Sequence, residues 1–235
     1  MLGAVGQNLT MSTRSALHVT AEELNRLIAE SRKLPVAVGA YASEDFEPYA
    51  DFMTNVLLTV LDLQMHNVAV NKSIAHYRTH RWHDVRTLND LERVLSDFPD
   101  TGVGNRAAAQ YLWGNNYWTR IQWLRGFAAF LREENLTSQE ALKAWAVSCD
   151  FGRDFAGRVK HLGVAACQWL RMRLGVDTVK PDVHTHRFVT RTIGRKLSDS
   201  GVVTVIEEVA GRLGMRARAL DNAIWEAERG APGLI

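Results

Sequence analysis

Cysteine is almost absent from this chain: of 235 residues, only Cys149 and Cys167 carry thiols. Two are too few for a four-thiolate cluster or a disulfide framework, so a buried free thiol is the expected state of each. Long apolar runs are missing as well. The stretch Val56 to Leu61 is among the longest, far short of the ~20 residues that cross a bilayer. Residues Met1 to Met11 lack a basic segment followed by an apolar one, so no secretory leader is expected. A cytoplasmic protein is expected, nucleoid-associated if the source is bacterial. Charge of one sign is not in excess, with 28 Lys+Arg against 26 Asp+Glu and a formal net charge of +2. Totals therefore permit an anionic partner without demanding one. Low-complexity tracts, fixed-period repeats and Ser/Gly linkers are absent too, and 46% hydrophobic with 23% charged content excludes disorder for most of the chain.

What is present is a set of helix starts. Thr20-Ala21-Glu22-Glu23 reads as a capping box, in which a hydroxyl and a carboxylate satisfy orphan backbone donors; its helix should run to about Lys33. Thr137 to Glu140 repeats the device, and Thr87 to Asp90 is a looser version. Between the caps, apolar residues recur at three and four, as in Phe52, Val56, Leu57, Val60 and Leu61, and in Ile121, Leu124, Phe127, Ala128 and Leu131. No period-two stretch competes. Pro99, Gly102, Gly104, Gly114, Gly175, Pro181 and Gly230 punctuate the joints. The expectation is an all-α chain of ten to twelve helices, preceded by an irregular extension of about 18 residues within which Met1 and Met11 both remain open as the start.

The densest chemistry lies late in the chain. Val159 to Gln168 reads as a short helix, a glycine hairpin at Gly163 and a second helix, an arrangement that points the backbone N–H groups of Gly163, Val164 and Ala165 outward at a helix N-terminus, where a phosphate binds well. A Gly175 cap and an extended loop then lead to Lys180-Pro181-Asp182-Val183-His184-Thr185-His186-Arg187. There a single carboxylate, Asp182, is surrounded by the positive charge of Lys180, His184 and Arg187.

This segment resembles the helix-hairpin-helix DNA glycosylases with a Gly/Pro-rich loop and an essential aspartate, the endonuclease III superfamily. The family writes a helix-ending glycine, a short extended loop and Asp-Thr-His-x-x-Arg, and Leu174 to Arg187 follows that spacing without gaps. Leu57 to Lys72 is similar to the family's helix, glutamine-bearing loop and next helix, and Gly114 to Ile121 to its wedge loop. The resemblance spans roughly Phe46 to Val189.

It implies two helical lobes with a DNA-binding helix-hairpin-helix and a cleft between them: a central lobe of residues 46–175, and a second lobe of 1–45 with 176–235. It also implies excision of a damaged, mispaired or modified base rotated out of double-stranded DNA, with Asp182 as the catalytic carboxylate. Gln64 would plug the vacated stack and Asn116 or Tyr117 wedge it. Gly163, Val164, Ala165, His184 and Arg187 would grip the backbone, and Trp118, His161 and Gln168 would approach the base. Relatives that also cut the strand carry a lysine where this chain has Val164 or, with the hairpin glycines aligned, Cys167. A monofunctional enzyme acting as a monomer, without cofactor or metal, is therefore expected, and Lys160 is the nearby amine that would contradict it. The family's Gly-x-Gly hairpin is Gly163-Val164-Ala165 here, and no cysteine follows Cys167 to build the iron–sulfur cluster of some relatives.

Two rival readings stand beside this one. A protein of the same fold that binds DNA structure without catalysis would keep the hairpin but have no use for Asp182. A metal-dependent hydrolase would employ Asp182, His184 and His186 as ligands. The residues Arg187, Arg191, Arg195 and Lys196 share one helical face, open to either a DNA backbone or plain solvent. Arg216 and Arg218 read as surface, and Trp123 as core.

Overall fold

Helix starts follow the capping chemistry. In the computed structural model, which describes residues 19–35, 51–63 and 65–229, the Thr20 side chain accepts the Glu23 N–H at 3.2 Å while the Glu23 carboxylate accepts that of Thr20 at 2.7 Å. This complete capping box opens α1 (Ala21–Ser31). Asp51 caps α2 (Phe52–Leu61) and is followed by α3 (Asn67–His80). Thr87 and Asp90 form a second box at the head of α4 (Leu88–Ser96), and Thr101 caps α5 (Gly102–Trp113). After α6 (Trp118–Glu133), the start of α7 (Gln139–Ser148) departs from expectation. The capping hydroxyl belongs to Ser138, which accepts the Ala141 N–H at 3.2 Å, rather than to Thr137. Glu140 thereby sits inside the first turn, where its charge favours the helix dipole.

A single π turn, Phe151–Phe155, precedes α8 (Val164–Arg173), α9 (Val183–Ile193), α10 (Asp199–Leu213) and α11 (Ala217–Arg229). Eleven α-helices and no strand occur among the described residues, so the protein is all-α. No helix among them is long and apolar enough to cross a membrane. The expected irregular extension at 1–18 and Gly230 lie outside the described residues. Gly102 and Gly104 are not in a joint but form the first turn of α5. Gly104 there lets Pro99 approach so closely that a Cβ would lie 2.0 Å from the Pro99 carbonyl oxygen.

Two hydrophobic cores result. The first gathers α2 to α8 around Leu57, Tyr77, Trp113, Phe127 and Phe155, and the second gathers α1 and α9 to α11 around Leu27, Phe188, Val205 and Ile224. Helix α2 is buried on every side except at Leu58, the pattern of a central helix. Cys149 and Cys167 are buried free thiols with their Sγ atoms 3.8 Å apart. The contact with the Cys149 sulfur, and then burial, push the Cys167 thiol well above its ordinary pKa.

Candidate functional site

The chain between α8 and α9 is shaped by three caps. Gly175, at φ 98°, closes α8 as a Schellman motif, in which its N–H donates to Met172 O and the Val176 N–H to Arg171 O, both at 3.0 Å. That left-handed backbone is what glycine permits at little cost. Two residues on, the Asp177 carboxylate accepts the N–H groups of Ala217 (3.2 Å) and Arg218 (3.0 Å), capping α11 from a distance in sequence. Asp182 then caps α9 by accepting the His184 N–H at 2.8 Å and the Thr185 N–H at 3.2 Å. One short loop thus sets the directions of two helices and fixes a carboxylate between them.

That carboxylate lines a cavity of about 380 Å³ at the junction of the two cores. From the first core, α2 contributes Leu58 and Asp62, and α3 contributes Asn67 and Asn71 one turn apart. Trp169 and Arg173 enter from α8, and the far wall is a stripe of α11: Arg218, Asp221, Asn222 and Trp225. Lys180 reaches from the loop to Asp62 at 3.3 Å, with its ammonium 4.7 Å from the Trp169 ring centre. Arg173 is fully buried and donates to Thr59 Oγ1 at 2.8 Å and to the Asn55 carbonyl at 3.2 Å.

Two carboxylates meet behind this surface. Thr185 Oγ1 lies 3.1 Å from Asp221 Oδ1 and 3.4 Å from Asp182 Oδ1. Burial, and next the negative charge of Asp182, push the pKa of Asp221 up to about 7. The cavity therefore holds a carboxyl group that keeps its proton near neutrality within reach of a second carboxyl group of different environment.

The residues singled out from sequence are distributed unevenly around this site. Asp182 is in the cavity wall. His184 stands beside it, with its ring edge-on to Trp225 at 6.0 Å between centroids. Gly163 is the N-cap of α8, so Val164 and Ala165 begin that helix; the short helix expected just before it does not form, and residues 156–163 are a run of turns in which Gly157 and His161 are left-handed. Tyr117 is the N-cap of α6, and its N–H is held by Asn115 Oδ1 at 2.9 Å, with Asn116 exposed between them. Gln64 lies outside the described residues. Its neighbour Leu63 is tied to the start of α6, because the buried Arg120 guanidinium donates to the Leu63 carbonyl. Between α3 and the chain joining α5 to α6 runs a second, more open groove of about 450 Å³, with Lys72, His76, Asn115 and Tyr117 on its walls.

Trp118, His161 and Gln168 do not line the cavity. Trp118 faces Arg106, His161 stacks on Trp123 at 5.2 Å, and Gln168 meets Thr178 at 2.9 Å inside the protein. Trp123 is only partly buried, with the Arg120 guanidinium 4.0 Å from its ring centre. Lys160 is exposed on the turn before α8 and away from the cavity, whose only lysine is Lys180.

Two of the four basic residues along and just after α9 are committed to ion pairs. Arg191 binds the buried Glu228 at 2.6 Å and Arg195 binds Glu23 at 2.8 Å, joining α9 to α11 and α1. Arg218, read as surface from sequence, is buried. The metal-ligand trio does not assemble, since His186 turns away to Asp199 at 2.9 Å and no group of three candidate ligands converges among the described residues. Asp221 and the stripe of α11 were not anticipated. Their signal is present in the spacing 218, 221, 222 and 225, one face of a helix carrying charge, amide and indole.

Over residues 124–229, which include Asp182 and the α11 stripe, the chain is similar to a family described as a domain of unknown function (DUF8548). No curated protein and no solved structure matches it.

Proposed function

We propose that this protein is a monofunctional DNA glycosylase that hydrolyses the N-glycosidic bond of a base rotated out of duplex DNA. The observation that carries this reading is Asp182. The residue whose sequence setting resembles the family's essential aspartate has its carboxylate in the wall of a cavity between two helical cores, with Trp169 and Trp225 on other walls. A volume of about 380 Å³ falls within the ~300–1,000 Å³ typical of small-molecule pockets, and indole faces stack on bases of any identity.

The physical logic is that of base extrusion. Unstacking a nucleotide costs a few kcal/mol, offset by pocket contacts and by side chains entering the gap. By resemblance such side chains are Gln64 and Asn116 or Tyr117; Tyr117 lines the second groove, and Arg120 of α6 ties the Leu63 carbonyl to the helix that Tyr117 caps. The N-terminus of α8 after the hairpin offers unpaired N–H groups for a phosphate. As the C1′–N bond breaks, positive charge grows on the sugar, and the Asp182 carboxylate stabilises it and orients the attacking water.

The test incubates the purified protein with end-labelled duplexes that each carry one modified base, with and without hot alkali before electrophoresis. Cleavage only after alkali is the expected result, and it names the base. Cleavage without alkali, together with a borohydride-trapped adduct lost in Lys180→Gln, would replace the monofunctional assignment by a lyase using the amine in the cavity. Salt-sensitive DNA binding with no excision across the panel would favour a non-catalytic DNA-binding protein.

A further inference from the structure

We propose that Asp221 is the general acid of this site, delivering a proton to the departing base, and that the pocket therefore serves bases that are uncharged in DNA. The inference rests on the glycosylase reading and adds a second catalytic group and a substrate class to it.

Geometry carries the assignment. Asp221 shares the cavity wall with Asp182 and Trp225, one helical turn from the indole on the same face of α11. Its carboxyl group contacts Thr185 Oγ1, which lies within 3.1 Å of the Lys180 carbonyl, 3.1 Å of Asp221 and 3.4 Å of Asp182. A hydroxyl has one proton to donate, so three acceptors cannot all be served by Thr185. A proton on Asp221 relieves the conflict, because Thr185 then has one charged acceptor fewer to serve. Burial and the adjacent Asp182 charge raise Asp221 to about 7, outweighing the hydrogen bonds from Thr185 and the Lys180 backbone, which lower it. Two neighbouring carboxyl groups in unlike environments are the arrangement by which an acid and a charge-stabilising carboxylate divide their labour.

In the step itself, the C1′–N bond breaks with its electron pair on the base. The Asp221 proton passes to that base, and water adds to C1′ while losing a proton that returns to Asp221 through solvent. The products are the free base, an abasic sugar and the enzyme in its starting state. A base already cationic in DNA, such as 7-methylguanine, leaves neutral without a donor, so an acid here is useful for uncharged bases.

The charged and titratable groups around Asp221 are Asp182 and His184 at the head of α9, Lys180 of the loop, Arg218 on its own helix, and Arg173 and Asp62 across the cavity. Helix α10 shares its apolar Val202, Val205 and Ile206 with Leu220 and Ile224 of α11 in the second core, and its Glu207 is hydrogen-bonded by Thr178 Oγ1 at 2.8 Å. The experiment measures single-turnover excision of uracil, hypoxanthine and 8-oxoguanine from pH 5 to 9 by the wild type, Asp221→Asn and Asp221→Glu, with 7-methylguanine alongside. Carbon-13 titration of the aspartate carboxyls is run on the free wild-type and Asp221→Asn proteins. We expect a wild-type rate that falls above about pH 7 and an Asp221→Asn rate lower by ~100-fold or more that lacks this limb. Partial recovery of both is expected in Asp221→Glu, together with one carboxyl titrating near neutrality that Asp221→Asn removes. A limb that survives in Asp221→Asn, uniform slowing at every pH, all aspartates titrating below pH 5, or a wild type active on 7-methylguanine alone would each overturn the acid assignment and leave the glycosylase standing. A wild type that excises nothing would remove both.

Discussion

Arg173 and Thr59 stand 114 residues apart in the chain and join α8 to α2 by a 2.8 Å hydrogen bond beneath the floor of the cavity. The guanidinium is fully buried and also serves the Asn55 carbonyl, which Thr59 Oγ1 approaches at 2.8 Å. A buried cation with partners on another helix fixes the distance between the helices that carry Leu58 and Trp169. Its removal carries two penalties at once, the loss of both hydrogen bonds between α8 and α2 and a void.

Arg173→Ala is accordingly expected to lower unfolding free energy by ~3 kcal/mol, read as a reduced midpoint in urea titration. An unchanged midpoint would show that the buried cation is not what holds α8 on α2.

Asp182 has a structural duty as well as the proposed chemical one, because it caps α9. Asparagine caps nearly as well as aspartate, whereas alanine loses about 1 kcal/mol. Asp182→Asn should therefore keep the wild-type melting temperature and DNA affinity while excision falls at least ~100-fold, the ~3 kcal/mol typical of a preorganised electrostatic group. Asp182→Ala should lose stability in addition. Wild-type excision rates in the asparagine variant would remove Asp182 from the mechanism.

Trp225→Ala is expected to reduce excision ~10- to 100-fold, in keeping with the ~1–3 kcal/mol that stacking on an aromatic ring contributes to holding a base. Circular dichroism should remain helical, and double-strand binding without a modified base should change little. Equal losses for modified and unmodified duplexes would make Trp225 a packing residue.

The pairing of Glu23 with Arg195 predicts an acid-side loss of stability. The hydrogen bonds from Arg195, and then from the Thr20 backbone, hold Glu23 at about 2, below its ordinary 4.5. Above 4.5 the carboxylate is ionised whether the protein is folded or not, and its contribution is fully present. As pH falls from 4.5 toward 2 the unfolded chain takes up the proton first, which favours unfolding. Melting temperature should drop over that window, less steeply in Glu23→Gln. Parallel pH profiles for the two proteins would mean that the pair does not couple α1 to α9.

Local chemistry made much of the architecture legible. The boxes at Thr20 with Glu23 and Thr87 with Asp90 formed as their side chains dictate, and the Gly175 cap followed from a backbone that glycine tolerates. The box expected at Thr137 did not form; Ser138 caps the helix alone one residue later, since neighbouring hydroxyls compete for a cap on nearly equal terms and packing chooses between them. The α9 arginines show the limit from the other side: their spacing describes a face, and only the approach of α1 and α11 turns that face from an open basic stripe into ion pairs. Arg218 was read as surface for the same reason, its charge being visible in sequence and its burial between helices not.

By itself, then, the sequence determined that the chain is helical, where several of its helices begin, and that a carboxylate would stand at the head of α9 after a glycine-ended helix. These depend on neighbours a few residues apart, whose contacts are set by the helical repeat. Tertiary structure alone decided that Asp221, reached through Thr185 36 residues away, would share a hydroxyl with the loop of Asp182. It also decided that Trp169 and Trp225 would line the same cavity. A periodic pattern states which side of a helix is covered, but the helix that covers it, and hence the charges that face each other there, emerges only when the two cores close.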